Sequence, residues 1–468
     1  VSSKDNAFTT LHNSKIKYDS RLRPARCKWS GRKGCRAFFQ ATGEEAGAGN
    51  LPGKTKNVFL SLCKINTPAM KIIPVTGKKT AQQFHDVARM IYKDNPVWIC
   101  PLDKTIEEIF HPESNVFFNH GDAQRWLLLD DEGHTAGRIA AFINEKKAYN
   151  FDQPTGGMGF FECIEDHQAA LMLFDTAKKW LQNRGMEAMD GPINFGENDN
   201  FWGLLVDGFE NPPAYGMNYH HPYYKDFFEA YGFEIYFEQV TNHLNLRKAF
   251  PQRFWKIAEW VLRKPNLSFQ HFEYKKAEKF IDDLKEVYDD AWKYHENFTP
   301  INKKDLYHSM EEAKPILDEE FVWFVYYDDE PVAFHIMFPD FNQILKHFNG
   351  KISGLGILKF LWLKNTKTIN RARVTIMGVK PKYQRMGIES GIFWHLKKVM
   401  NEKPHYKELE LSWVGDFNPK MQRIHEAVNS EFGKKHITYR KIFDETKHAG
   451  RAATIQKDTK DREMKKSG

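Results

Sequence analysis

The sequence predicts an α/β protein of two tandem domains, each a mixed central sheet flanked by helices, behind a disordered basic N-terminal segment. Three observations carry this reading. The chain has 468 residues, whereas single cores usually stop growing near about 250–300. Strand-like and helix-like periodicities alternate from Met70 onward. One plan is also stated twice: the pair Lys78-Lys79 returns as Lys275-Lys276, and the turn Asp130-Asp131-Glu132 returns as Asp328-Asp329-Glu330.

In the first copy, residues 71–75 read as a strand, and Phe84, Val87, Ala88 and Ile91 recur at helical spacing. Residues 126–129 and 137–143 flank the acidic turn as a hairpin. A strand over 158–163 and a helix over 166–183 follow, with Ala170, Leu173, Phe174, Ala177 and Leu181 on one face and Gly185 as the stop. The second copy repeats the order. A strand covers 267–274, a helix carries Phe280, Leu284 and Val287, and a hairpin spans 321–327 and 332–338. A strand over 373–379, a helix over 387–400 and a strand over 409–414 complete it. The boundaries are set at 1–69 for a disordered or non-native upstream segment, 70–245 and 246–443 for the domains, and 444–468 for a flexible tail.

The 41% hydrophobic content, with 37 Phe, 18 Tyr and 12 Trp, excludes global disorder. The net charge of +7 suggests a nucleic-acid or anionic-membrane partner only until it is located. Residues 1–70 hold 13 Lys/Arg against 4 Asp/Glu, and residues 71–443 hold 48 against 52. The folded body is thus mildly acidic, and no nucleic-acid partner is expected. The first stretch is read as upstream sequence, with Met70 as the natural start. It also contains Cys27, Cys35 and Cys63, leaving Cys100 and Cys163 as buried thiols without metal-ligand spacing. No metal is expected. Cytoplasmic location is the default, with peripheral contact to an inner membrane as an option.

The chemistry concentrates after the 373–379 strand. Val379-Lys380-Pro381 leads to Tyr383-Gln384-Arg385-Met386-Gly387-Ile388-Glu389, which opens a helix. Backbone N–H groups at a helix N-terminus, with a Gly allowing close approach, suit phosphate oxygens. This segment resembles the acyl-CoA loop of the GCN5-related N-acetyltransferase (GNAT) superfamily, Gln/Arg-x-x-Gly-x-Gly/Ala. Gln384 and Gly387 match its first and fourth positions, and Glu389 departs from the sixth. Asn418-Pro419 before a further helix resembles the superfamily's later motif, where a Tyr seven residues after the Asn commonly protonates the leaving thiolate. His425 stands there.

The resemblance extends over about residues 70–443 to a bacterial tandem-GNAT group, through 137–141, 159–162, 191–194, 204–209 and 339–343. It implies two GNAT-like domains, only the second holding acetyl-CoA or acyl-CoA, since the first loop, residues 162–168, lacks a glycine. It also implies cofactor contacts from Met377, Gly378, Val379, Gln384, Arg385, Met386, Gly387, Ile388, Glu389 and Asn418. Asp340 is the candidate base for an ammonium acceptor, against an Asx-turn role with Asn342. His425 is the candidate acid, against an ordinary helix histidine.

Asn194, Asn198 and Asn200, with Asp199, form a candidate substrate-binding loop, against turn geometry alone. The apolar run 354–363 is too short to span a bilayer and suits a membrane interface, an acyl groove or a core helix. The expected activity is acyl-CoA-dependent N-acyl transfer to a small-molecule or lipid amine by direct attack. A non-catalytic ligand-binding protein and an aminoacyl-tRNA-dependent transferase are the alternatives.

Overall fold

The computed structural model describes residues 70–196, 198, 200–293 and 300–452. The basic segment before Met70, with its three cysteines, and the tail beyond Ala452 lie outside the described residues. The strands of the first half are β1 (Lys71–Pro74), β2 (Gly121–Leu129), β3 (Thr135–Asn144), β4 (Thr155–Cys163), β5 (Ala188–Gly191), β6 (Leu204–Asp207) and β7 (Glu234–Asn245). Those of the second are β8 (Leu267–His271), β9 (Val322–Tyr327), β10 (Glu330–Pro339), β11 (Arg371–Val379), β12 (Glu408–Glu410), β13 (Val414–Gly415) and β14 (Glu431–Ile442).

Local chemistry places the repeated elements where the sequence predicts them. Asp166 caps helix His167–Gln182 by accepting the Ala169 N–H at 2.8 Å, and Ala170, Leu173, Phe174, Ala177 and Leu181 are buried. Asp328 and Asp329 take φ of 46° and 67°, the two left-handed residues that a tight β9–β10 hairpin requires. On β9, Phe324 and Tyr326 pack toward helix Ala277–Trp292, while Trp323 and Val325 face the core that contains helix Ile388–Glu402. This sheet is therefore covered on both faces.

The sheets do not close separately. All fourteen strands form one mixed sheet, ordered β1-β2-β3-β4-β5-β14-β7-β12-β11-β10-β9-β8, with β6 on β14 and β13 on β7. The last strand of each half sits in the other half. β14 pairs with β5 from Tyr439↔Gly191 to Ile442↔Ala188, and β7 pairs with β12 from His243↔Glu410 to Asn245↔Glu408. At the centre β7 and β14 pair with each other along nearly their whole length. Ile437 and Tyr439 of β14 thus belong to the first half's core, and Leu244 of β7 to the second's.

The strand expected over 409–414 is interrupted: β12 ends at Glu410 and β13 begins at Val414. β12 runs parallel to β11 only from Arg371↔Glu408 to Arg373↔Glu410, and the chain then turns to β7. The two thiols are free and buried, and burial pushes Cys100 up to about 11.

Tyr439 is fully buried. Tyr439→Ala is expected to lower stability by about 3–5 kcal/mol, as large-to-small core changes do. Although the residue lies in the C-terminal strand, urea unfolding should shift as one transition by circular dichroism and tryptophan fluorescence alike. A variant in which only one half melts early would refute the exchange as the tie between them.

Candidate active site

The loop after β11 is built by opposed charges and two left-handed residues. Lys380 is buried and donates to Glu286 at 2.5 Å and Glu330 at 2.9 Å; Tyr383 donates to the same Glu330 at 2.7 Å. Gln384 donates to the Val379 carbonyl at 3.2 Å and accepts from Lys420 at 3.1 Å, tying the strand end to helix Pro419–Ala427. Arg385 and Gly387 then take φ of 71° and 76°. Gly387 is the N-cap of helix Ile388–Glu402, and a Cβ there would lie 2.9 Å from Ile257 Cγ2. The first-turn amides have no carbonyl one turn back to bond, and those of Arg385, Met386, Gly387 and Ile388 donate to no turn or loop carbonyl among the described residues. With exposed Arg385 nearby, this cradle fits a pyrophosphate. Burial pushes the Glu389 carboxyl up.

Beyond Arg373 and Glu410, β11 and β12 part, so among the described residues no strand pairs with the Val374 to Val379 edge of β11 on that side. Ser412 donates to the Thr375 carbonyl at 2.5 Å across the opening. Met377, Gly378 and Val379 pair with β10 on the other side. The equivalent opening of the first half is filled by its own chain: Ile193 donates to the Met158 carbonyl at 2.8 Å and its carbonyl lies against Gly159, where no Cβ has room.

At the mouth of the second opening lies a small, shallow pocket open to solvent, lined by Asn198, Trp202, Gly216, Met217, Gln239, Arg373, Trp413 and His436. Both halves supply walls, and Gln239 and His436 come from the central strands β7 and β14. Arg373 donates to the Tyr215 carbonyl at 2.5 Å. His436 Nε2 lies 3.1 Å from the Asn218 carbonyl, which assigns that nitrogen the proton and leaves Nδ1 as acceptor; burial lowers its pKa to about 4.

Behind Arg373 lies a buried ionic cluster. Glu410, wholly buried, accepts from Lys434 at 2.6 Å, with Arg371 at 3.8 Å and Arg373 at 3.9 Å. Burial would raise its pKa, but Lys434, Arg371, His243 and Arg373 together hold it at about 2.

Asp340 belongs to this cluster rather than to the pocket wall. Its Oδ2 accepts from Arg371 at 2.9 and 2.6 Å, and its Oδ1 from the backbone N–H of Tyr215 at 3.1 Å and of Asn342 at 3.2 Å. All its acceptor directions are occupied, so the geometry is that of a group positioning the 215 loop and Arg371. His425 is buried beside Asn242 at 3.2 Å, and burial lowers its pKa to about 4. Asn418 caps helix Pro419–Ala427 through Met421. Of the loop amides, Asn198 reaches the pocket; Asn194 is buried with its Oδ1 unpartnered among the described residues, and Asn200 lies against Gly216. Asp199 lies outside the described residues.

Sequence reasoning missed Arg373, Gln239, Trp202, Trp413 and His436. The signal was present as charges at alternate strand positions, Arg371/Arg373 and Glu408/Glu410, which share one sheet face.

Residues 284–429 match the Acetyltransferase (GNAT) family. The "Bacterial ceramide synthase" of Caulobacter vibrioides (strain NA1000 / CB15N) is 28% identical over 385 residues, 80% of this chain and 98% of that protein. Protein YghO of Escherichia coli (strain K12) is 26% identical over 370 residues, 78% of this chain and 93% of that protein. Among solved structures, a GCN5-related glucosamine N-acetyltransferase region of a fungal multi-domain GH3 β-N-acetylglucosaminidase has a TM-score of 0.50 at 11% identity. The match covers 81% of this chain and 38% of that one, a likeness of fold.

Gly387→Val combines left-handed strain with the contact to Ile257. Acyl-CoA affinity by calorimetry should fall roughly tenfold or more, with an unchanged far-ultraviolet spectrum. Unchanged affinity would remove the cradle.

A second expectation concerns acid. His335, His425 and His436 each have folded pKa values lowered by burial from 6.5 to about 4. The folded state then binds fewer protons than the unfolded state, so their stabilisation is complete above pH 6.5 and declines toward pH 4. The contribution of Glu410 is lost only below 4.5, through about 2. Urea midpoints should therefore drop between pH 7 and pH 5 with the carboxylate of Glu410 still ionised. A flat profile over that range would contradict buried neutral histidines.

Proposed function

From a chain that carries an acetyltransferase (GNAT) domain over residues 284–429, we infer an acyl-CoA-dependent N-acyltransferase whose acceptor is an amino-lipid. The observation that carries this reading is the convergence of three features: the open edge of β11, the amide cradle at Gly387, and a pocket with aromatic and polar walls where β11 and β12 part. A ceramide is the amide of a long-chain amino alcohol, so the name of the Caulobacter relative, matched over 98% of its length, supports an acceptor of that class.

In this reading the Val374–Val379 edge pairs with the pantetheine amides, and the amides of Gly387 and Ile388 with Arg385 hold the pyrophosphate. Gln239, Arg373 and the free Nδ1 of His436 bind the amino-alcohol head, while Trp202 and Trp413 flank its chain. The neutral amine attacks the thioester carbonyl carbon directly. The C–N bond forms, the C–S bond breaks, and the departing thiolate takes up the proton that the new amide nitrogen sheds. Asp340 acts as a positioning residue through Arg371 and the Tyr215 amide.

Purified protein given a long-chain acyl-CoA and a long-chain amino alcohol should release free thiol and form the N-acyl amide by mass spectrometry. Arg373→Gln should reduce kcat/KM about tenfold or more. Acyl-CoA binding without thiol release across long-chain and short amines would instead favour a ligand-binding protein of the same fold.

A further inference from the structure

The most exposed apolar surface lies outside the pocket. Helix Gly354–Asn365 turns Leu355, Ile357, Leu358, Leu361 and Trp362 to solvent, with Leu355 83% and Trp362 63% exposed; of its residues only Leu363 is buried. A helix held to a soluble body normally hides its apolar stripe, and a contiguous exposed patch of this kind marks an interaction site. The underside rests on Phe341, Ile344 and Leu345, which directly follow Asp340.

The charge along the chain segment that carries the patch is one-sided. Lys346, Lys351, Lys359, Lys364 and Lys367 are all exposed, and no Asp or Glu occurs from Phe341 to Ile388. Lys351 meets Asp103, whereas Lys346, Lys359, Lys364 and Lys367 have no carboxylate within 4.0 Å among the described residues. The surrounding body is mildly acidic by composition, with 48 Lys/Arg against 52 Asp/Glu over residues 71–443. This basic belt is therefore local. Among the described residues no helix is long and apolar enough to cross a membrane.

We propose that helix Gly354–Asn365 is a membrane-docking element that inserts Leu355, Leu358 and Trp362 into the interface of an anionic bilayer while its flanking lysines engage lipid phosphates. Apolar burial and lysine attraction act together, as on other interfacial helices. The argument rests on this surface alone and holds whatever reaction the pocket performs.

The test is co-sedimentation of the full chain with neutral phosphatidylcholine vesicles and with vesicles in which about a third of the lipid is anionic phosphatidylglycerol. The basic residues before Met70 are present in every variant, so differences isolate the helix. Binding should favour the anionic vesicles. The combined change Leu355→Asp, Leu358→Asp and Trp362→Asp should lower the partition coefficient roughly tenfold or more. Lys359→Glu with Lys364→Glu should lower it on anionic vesicles and leave the neutral ones unaffected. All five residues are exposed, so melting temperatures should stay unchanged; if the apolar variant misfolds, the charge variant still decides. Wild-type partitioning by both variants would overturn the proposal. So would a wild-type dimer that the apolar variant dissolves without loss of vesicle binding.

Discussion

Glu410 and Lys434 form the contact on which the rest of the arrangement depends. Both side chains are wholly buried, 2.6 Å apart, on strands β12 and β14 that flank β7, an arrangement that exists only because β14 has crossed into the centre of the sheet. Such a pair gains little net stability over an apolar one, yet removing one partner strands the other and costs about 3–5 kcal/mol. Its consequence is register. A one-residue slip of β14 would turn Lys434 to the opposite face and leave Glu410 facing Arg371 and Arg373 without its nearest cation. The ionic cluster thus specifies how the central strands meet, while the two apolar cores supply most of the stabilisation.

That register brings chemistry to the junction. Gln239 and His436 are paired partners on β7 and β14, and both reach the pocket. Arg373 is the last residue of β11 paired with β12, and it stands between the buried Glu410 and the open pocket. Its guanidinium is oriented by a carboxylate behind it and by the Tyr215 carbonyl beside it. The Tyr215 loop is in turn held by Asp340. A site placed where two halves share strands is rigid because each wall is continuous with a core.

Parts of this were legible from local chemistry. The Asp328-Asp329 hairpin, the Asp166 cap and the apolar face of helix His167–Gln182 depend on residues close in the chain, and they stand where composition predicts. The loop after β11 was equally local, since Gln384 bonds back to Val379 and Gly387 caps the helix that follows. The strand exchange was not legible. Both terminal strands read the same whichever half receives them, because side-chain alternation identifies a strand without naming its neighbour. Asp340 was read as a base or as an Asx turn with Asn342; the Asn342 N–H does bond its Oδ1, while its partners Arg371 and Tyr215, 31 and 125 residues away, were beyond local reading. His425 was read as an acid or as an ordinary helix histidine, and the burial beside Asn242 that bears on the choice comes from 183 residues away.

The two halves also differ at corresponding places in the sheet. Each parallel pair, β4–β5 and β11–β12, holds for three residues and then opens. In the first half the chain after β5 returns to β4, and the Gly159 position admits the Ile193 carbonyl where a side chain would not fit. In the second half the chain after β12 pairs with β7, and among the described residues no strand takes the vacated edge of β11. The same loop that fills the first opening continues through Asn198 and Trp202 into the wall of the shared pocket. Closing one opening therefore furnishes a wall for the other, so on the proposed reading the first half serves acceptor recognition by the chain that blocks its own donor slot.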